Sequence, residues 1–241
     1  MSDLENRRAE TTAHTAKRLA RFYGPLLIAG FVAAAAMLLL AGWFASEVIE
    51  GETLAFDNAV RDQVHALASP AATQIMIGLS FVGSPTFLTC LGLIVAVAFI
   101  LLKWWRALLL FLITMAGEII LDSTLKGFYE RARPAAYFNY LLPKSYSFPS
   151  GHAFGSFCFF GIVAWLITSR LKDHRVLNWS IRLTAAILIL LIGLSRVYLG
   201  VHYPTDVIAG YMTGTIWTFT VILSDAYFRH YRAKKAGRPA N

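Results

Sequence analysis

Three short stretches of the chain combine residue types that can bind and transfer a phosphate group. The first reads KGFYERARP, and its two key cations are Lys126 and Arg133, with six residues between them. Lys and Arg at a helix end often mark the boundary between membrane and water, where long side chains reach toward the aqueous phase. Taken alone, this stretch is compatible with such a boundary role or with an anion site.

The second stretch is the sequence Pro149-Ser150-Gly151-His152, at the predicted start of a helix. A helix N-terminus presents free backbone N–H groups and a partial positive charge, and both favour an anion. Gly151 would allow a ligand to approach the backbone closely. Ser150 suits the position that caps a helix, and we expect it both to cap and to contact the anion.

The third stretch covers residues 195–206 and holds Arg196, His202 and Asp206. Gly200 permits a sharp turn within it. Asp206, in the first turn of the next predicted helix, can reach back to His202, and a carboxylate on one imidazole nitrogen fixes the tautomer. The alternative is that Asp206 only caps its helix and that His202 is an interfacial ring.

Together the three stretches predict a centre for phosphoryl transfer. Three cations and a helix N-terminus suit the charge that spreads over the oxygens of a transferring phosphoryl group. Two histidines suit a reaction in two steps, in which one is the nucleophile and the other the acid. No further cluster of the sequence has the character of a metal site, so we expect neither a metal nor a cofactor.

These residues resemble the signature of the phosphatidic-acid phosphatase type 2 superfamily. Its pattern is Lys, six residues, Arg-Pro; then Pro-Ser-Gly-His; then Ser-Arg, five residues, His, three residues, Asp, and this chain keeps every spacing. The resemblance implies a phosphohistidine on His202, with Asp206 orienting the ring and His152 protonating the leaving group. It also implies a phosphate-binding set: Lys126, Arg133, Ser150, Gly151 and Arg196.

The composition indicates that a membrane surrounds these elements. Apolar residues make up 57% of the 241 residues and charged residues 15%, whereas a typical soluble domain carries about 25% charge. The net charge of +8 could indicate nucleic acid, but the basic residues lie in the tails and between apolar runs. That placement sets the orientation of a membrane protein, so we expect a bilayer partner and no nucleic acid.

The apolar runs predict an all-α fold, a bundle of six transmembrane helices. Each run is close to the roughly 20 residues that a span requires, and Gly83-Ser84-Pro85 interrupts one longer run. The predicted spans are 23–46, 85–102, 107–125, 149–169, 181–199 and 204–224, with a short helix over 71–82 at the membrane edge. We assign residues 1–22 and 229–241 to cytoplasmic tails and 23–228 to one membrane domain.

The distribution of charge predicts which side each loop faces. The two tails and the links after the second and fourth spans are basic, so the positive-inside rule places them in the cytoplasm of a cell-membrane protein. The loop after the first span is acidic, as expected for the opposite face. The loop 126–150 is assigned to that face although it is basic, and the predicted phosphate site accounts for its cations.

Four further residues inside predicted spans carry expectations of their own. Asp122 lies one helical turn before Lys126 and is expected to steady it. Glu118 shares that helix face, and we expect it to make a structural hydrogen bond, because ionisable residues in a membrane usually have a partner. Cys90 and Cys158 are interpreted as small core residues.

The predicted function is removal of phosphate from a membrane lipid by an integral membrane phosphatase. The family resemblance implies undecaprenyl pyrophosphate, phosphatidylglycerol phosphate, phosphatidic acid or lipid A phosphate as substrate, and we favour the first by analogy. The alternative is a membrane protein that binds or transports anions or lipid phosphates without catalysis. The sequence leaves the lipid tail, the head group and the oligomeric state open.

Overall fold

The computed structural model describes residues 36–138, 140–141, 143–171 and 173–235, and these residues form helices and loops without a strand. The chain divides into two units, Met1–Trp43 and Phe44–Asn241. Residues 36–43 of the first unit are described, and they are helical. The all-α class predicted from the sequence is confirmed.

Eight helices follow one another along the described residues. They are α1, of which residues 36–50 are described, α2 (Leu54–Ala66), α3 (Pro70–Val82), α4 (Pro85–Leu101), α5 (Trp105–Tyr129), α6 (Gly151–Thr168), α7 (Arg175–Tyr198) and α8 (Pro204–Lys235). Helices α5, α6, α7 and α8 are long and apolar enough to span a membrane. The helices α3 and α4 are bent by 51° where they meet, and this pair is either a fifth, broken span or a re-entrant loop. The predicted first span, 23–46, lies largely outside the described residues.

The break between α3 and α4 follows from local sequence. Each of these helices begins with a Ser-Pro pair, in which the serine hydroxyl accepts a hydrogen bond from the first turn: Ser69 from Ala72, and Ser84 from Phe87. Proline suits this position because its missing N–H would have no partner there. The pair therefore ends α3 and starts α4 in a new direction.

Helix α6 is enclosed by α5, α7 and α8, and Phe154, Cys158 and Ile162 are fully buried on it. Small residues allow the helices to approach closely, as is common in membrane bundles. A Cβ atom at Gly210 of α8 would lie 2.7 Å from the carbonyl oxygen of Ser150. The start of α6 is therefore held directly against the first turns of α8.

Helix α2 was not predicted, since its residues were assigned to an acidic loop. Its buried residues are Asp57 and Arg61, whereas the usual signal of an amphipathic helix is a buried apolar stripe. Asp57, one of the acidic side chains that made this segment look like a loop, faces the protein together with Arg61, whereas Asp62 is exposed. Hydrophobic periodicity could not reveal such a helix.

Three other expectations need correction. Helix α7 begins at Arg175 rather than 181, and α8 continues to Lys235 rather than ending at 224, because charge limits the apolar span and not the helix. Cys158 is buried as expected, but Cys90 is exposed on the outward surface of α4. The tail and domain limits assigned from the sequence stay predictions.

Candidate active site

The three sequence stretches meet where α5 ends and α6 and α8 begin. The backbone N–H of Ser150 donates to the carbonyl of Asp206 over 2.9 Å, which joins the second stretch to the third. Arg133 Nη1 lies 2.9 Å from His202 Nε2 and 3.0 Å from the carbonyl oxygen of Val201, which joins the first stretch to the third. The predicted convergence of cations, a helix N-terminus and His202 is therefore present in the structure.

The hydrogen bonds of His202 determine which tautomer the ring adopts. A guanidinium group can only donate, so Nε2 of His202 must be the acceptor of the contact with Arg133. The proton then lies on Nδ1, which is 3.4 Å from Asp206 Oδ2 and 3.4 Å from Ser147 Oγ. The predicted pairing of Asp206 with His202 is found, and Nε2 keeps its lone pair.

Asp206 is fully buried and several donors surround its carboxylate. Oδ1 accepts from Arg131 Nη1 at 2.5 Å, while Oδ2 accepts from the backbone N–H of Tyr203 at 2.9 Å and from the hydroxyl of Ser147. A buried carboxylate with this many donors stays ionised and holds one orientation. The side of His202 that carries the Nδ1 proton is thereby fixed.

Burial keeps His202 neutral. Removal from water lowers the pKa of its imidazole to about 4, and the positive charges of Arg133 and Arg196 act in the same direction, while Asp206 opposes the shift. Burial also lowers the pKa of the Arg133 guanidinium, against the effect of the carboxylates of Asp206 and Asp122. The site thus combines a neutral ring with permanent cations.

Lys126 and Gly151 meet at the N-terminus of α6. The Lys126 ammonium lies 2.6 and 2.8 Å from the carboxylate oxygens of Asp122, so the expected support by Asp122 is present. A Cβ atom at position 151 would be 2.7 Å from Lys126 Nζ. Glycine is needed here so that the ammonium can approach the end of the helix, and the two positive features together form a place for an anion.

Arg196 and Ser150 each bury a polar group that has no protein partner. The Arg196 side chain is 1% exposed, and its guanidinium donates to Ser80 of α3 and lies over the ring of Tyr140. Its Nε atom and the Ser150 hydroxyl have no hydrogen-bond partner in the described structure. The expectation that the Ser150 side chain caps α6 is wrong, and its hydroxyl remains available to a ligand.

His152 occupies the first turn of α6, and its ring faces the break between α3 and α4. A Cβ atom at Gly83 would lie 3.5 Å from Cδ2 of this ring, and the charges of Arg196, Lys126 and Arg133 act on it. No hydrogen bond joins the ring to another described residue. His152 is therefore close to the cationic cluster without being fixed by a carboxylate, unlike His202.

Glu118 does not make the structural hydrogen bond that was expected, since none links it to the described part of the chain. It is buried on α5, and its Oε1 would be 3.2 Å from a Cβ atom on Gly155 of α6. Its carboxyl therefore packs against the backbone of the neighbouring helix. Among the described residues there is also no group of three or more His, Cys, Asp or Glu side chains placed to hold a metal ion.

Four residues near the pair of His202 and Asp206 were not predicted: Asp57, Arg131, Ser147 and Thr205. Arg131 joins Asp57 to Asp206 by two salt bridges of 2.8 and 2.5 Å. The sequence could have indicated a role for Arg131, because it is a third cation in the first stretch and that loop was assigned to the acidic face. No sequence pattern indicated that Asp57 lies near the site, because its helix, α2, was not predicted.

Comparison with known proteins identifies the family. The model of the PAP2 superfamily matches residues 107–229, the segment that contains all three stretches. The chain belongs to the PAP2 superfamily. Its relatives include phosphatidylglycerophosphatase B of Bacillus subtilis strain 168, which is 30% identical over 179 residues, covering 74% of this chain and 87% of the relative. With its spans, the chain is a multi-pass membrane protein of a phosphatase family.

Two solved structures and a second relative also resemble this chain. The crystal structure of a transmembrane PAP2-type phosphatidylglycerolphosphate phosphatase from Bacillus subtilis matches with a TM-score of 0.73 and 28% identity, covering 80% of this chain and 95% of that one. The undecaprenyl-diphosphatase of Sulfolobus acidocaldarius is 37% identical over 112 residues, 44% of this chain and half of the relative's length. The structure of Aquifex aeolicus LpxE shares the fold with a TM-score of 0.52 at 24% identity, over 68% of this chain and 93% of the other.

Gly151→Ala should reduce activity without unfolding the protein. The new methyl group would displace Lys126 Nζ, the free end of a flexible side chain, so stability should change little. Loss of one hydrogen bond to a charged group costs about 1.5–3 kcal/mol, which predicts a fall in kcat/KM of about 10- to 100-fold. The control is Gly127→Ala, where the added atom meets open space, and full activity in Gly151→Ala would contradict the role of this close approach.

The imidazole of His202 should remain neutral well below the pH at which a free histidine becomes charged. Since burial lowers its pKa to about 4, the neutral Nδ1–H form should persist from pH 7 down to pH 5. Nitrogen-15 NMR of imidazole-labelled protein in detergent can measure this, with the His202 signal assigned by its loss in His202→Ala. A transition near pH 6.5 would contradict the prediction.

Proposed function

We propose that the protein hydrolyses a phosphomonoester or pyrophosphate on a membrane lipid through a phosphohistidine at His202. The observation that carries the proposal is the state of His202, whose Nε2 lone pair points at Arg133 while Nδ1 faces a buried carboxylate. The orphaned Ser150 hydroxyl and Arg196 Nε and the Lys126 ammonium supply donors for the phosphate oxygens. The PAP2 family supports phosphatase chemistry.

In the first step, Nε2 of His202 gives its lone pair to phosphorus. The bond from phosphorus to the leaving oxygen breaks, and its electron pair stays on that oxygen. His152, which takes up a proton from water when the anionic phosphate offsets the surrounding cations, gives that proton to the oxygen. Arg133 must release Nε2 and turn to a phosphate oxygen as the substrate enters. The negative charge of Asp206 stabilises the positive charge that develops on the ring of His202.

In the second step, water attacks the phosphohistidine. Neutral His152 takes a proton from that water, the bond between phosphorus and nitrogen breaks, and its electron pair returns to Nε2. Inorganic phosphate leaves and both histidines regain their starting states. In a two-step transfer, one residue can act as the acid in the first step and as the base in the second.

The proposed substrates follow from the relatives. A relative that covers 74% of this chain is by name a phosphatidylglycerophosphatase, and a second relative is by name an undecaprenyl-diphosphatase. We therefore propose undecaprenyl pyrophosphate and phosphatidylglycerol phosphate as the leading candidates, with phosphatidic acid and lipid A phosphate as further ones. The four substrates share a phosphate carried at the head of a membrane lipid. The two steps proposed above use neither a metal nor a cofactor for any of them.

The leaving group should separate the roles of the two histidines. A lipid alkoxide is a poor leaving group that needs a proton, whereas an aryl oxide leaves more easily, and acid catalysis is typically worth about 10²–10⁴-fold. His152→Ala should therefore lose more kcat/KM with phosphatidic acid than with an aryl phosphate. His202→Ala should be inactive with both, because it lacks the nucleophile.

The measurement is phosphate release from the four candidate lipids and an aryl phosphate, by purified protein in the presence of EDTA. Activity that disappears with EDTA and returns with zinc or magnesium would contradict metal independence. Equal losses on the two leaving groups would show that His152 has no acid role. Lipid binding without phosphate release would favour the alternative of a binding or transport protein.

We also propose that the site faces away from the cytoplasm of the cell membrane and that both termini are cytoplasmic. Arg106 at the start of α5 pairs with Asp225 near the end of α8, at the end of the bundle opposite the site. Lys103, Arg170 and Arg229 lie in the links and helix end on that opposite side, where the positive-inside rule expects cations. The loop cations Arg131 and Arg133 point into the protein and so do not bear on orientation.

Thiol labelling tests this orientation. In a background with Cys90→Ala and Cys158→Ala, an impermeant reagent added to intact cells should label Lys144→Cys but not Asp173→Cys. Both positions are exposed, so both should react once the cells are disrupted. This labelling after disruption is the control for access of the reagent to each cysteine. Labelling of the second position alone in intact cells would reverse the orientation.

A further inference from the structure

Asp57 is a fully buried carboxylate on a helix that lies outside the matched family segment. It is 0% exposed and belongs to α2 (Leu54–Ala66), whereas the family match begins at residue 107. A buried carboxylate is costly unless other groups neutralise it and donate to it. Its partners therefore indicate what it does.

Apart from a long contact of 3.4 Å from the Thr53 hydroxyl, the partners of Asp57 belong to the segments that build the proposed site. Oδ1 accepts the backbone N–H of Thr205 at 3.0 Å, and Oδ2 accepts the Thr205 hydroxyl at 2.7 Å. Thr205 precedes Asp206 directly, in the first turn of α8, where backbone N–H groups are free and favour an anion. Asp57 thus anchors the turn from which Asp206 projects.

Arg131 extends this link to Asp206 itself. Its Nη2 donates to Asp57 Oδ2 at 2.8 Å, and its Nη1 donates to Asp206 Oδ1 at 2.5 Å and to Thr205 Oγ1 at 3.0 Å. Its guanidinium carbon also lies 4.2 Å from the ring centre of Tyr203. The side chain of Arg131 is 8% exposed, so water screens these charges little.

The arrangement divides the two oxygens of Asp206 between two tasks. Arg131 occupies Oδ1 and sets the plane of the carboxylate, which leaves Oδ2 toward His202 Nδ1. An arginine alone would cancel the charge of Asp206, because the pair would sum to zero. With Asp57, the buried group of two carboxylates and one guanidinium keeps a net charge of −1, which can stabilise a positive ring on His202.

We infer that Asp57 and Arg131 are positioning residues that orient Asp206 and preserve its negative charge toward His202. The inference rests on the proposed function, in which His202 becomes positively charged during phosphoryl transfer. Neither residue touches the phosphate. Both should therefore affect the rate of transfer more than the binding of an anion.

The first variant is Asp57→Asn, which keeps the shape and an oxygen acceptor for Thr205 but removes the charge. It should lower kcat by about 10- to 100-fold, the range found for outer partners that orient metal ligands, while KM and inhibition by inorganic phosphate, an anion of the ground state, stay unchanged. The matched control is Asp62→Asn, on the same helix, where the carboxylate accepts only a long contact of 3.5 Å from Tyr137. That control should retain full activity.

The second variant tests the charge balance directly. Asp57→Asn with Arg131→Gln removes one negative and one positive charge, so the buried group returns to −1. The double variant should have a higher kcat than Asp57→Asn alone. A purely structural role predicts the opposite, because a second buried partner is lost, and a double variant that is slower than the single one would overturn the inference.

The outcomes for the mechanism and for the inference can be distinguished. If His202→Ala is inactive while Asp57→Asn keeps the wild-type kcat, the inference fails and the proposed function stands. If His202→Ala keeps its activity, the phosphohistidine mechanism fails, and the inference with it. Thermal unfolding in detergent identifies a variant that has lost its fold, and an equal fall of kcat and of the affinity for inorganic phosphate in a folded Asp57→Asn would overturn the positioning role.

Discussion

Asp206 joins the parts of the site with both its backbone and its side chain. Its carbonyl accepts from Ser150, which positions the start of α6, and its carboxylate faces His202 and Arg131. Gly210, one turn further along α8, lets the two helices meet without an intervening side chain. The helix end proposed to bind the anion and the proposed nucleophile, His202, are therefore held by one turn of α8, and a shift of that turn would move both.

The part of the site around His202 has its polar atoms paired, whereas the part around Ser150 and Arg196 has polar atoms without partners among the described residues. His202, Asp206 and Arg131 have nearly all their polar atoms paired and exclude water. Around the proposed place for the phosphate, the Ser150 hydroxyl and Arg196 Nε are buried without partners among the described residues. Buried polar groups without partners cost free energy, and the proposed phosphate would relieve that cost. This is the expected arrangement where an enzyme keeps donors ready for its ligand.

The sequence predicted those parts of the site whose chemistry is local. His202 with Asp206, and Asp122 with Lys126, are each one helical turn apart, so spacing alone placed them together. Asp57 and Arg131 are 74 positions apart, and no local pattern connects residues at that separation. Helix α2 was missed for a related reason: it buries charge, while sequence patterns detect buried apolar faces. The Ser150 residue stands at the capping position as predicted, but its hydroxyl serves no cap.

Helix α8 is longer than a bilayer requires. Its 32 residues correspond to about 48 Å at 1.5 Å per residue, against a hydrocarbon thickness of about 30 Å. Its last turns therefore extend beyond the hydrocarbon, and the exposed rings of Tyr227, Phe228 and Tyr231 stand beside Arg229 near that limit. Aromatic rings and arginines at the level of the lipid head groups resist movement along the membrane normal. Because Asp206 lies at the opposite end of this helix, the depth of the proposed phosphate site in the bilayer is set from the far side of the membrane.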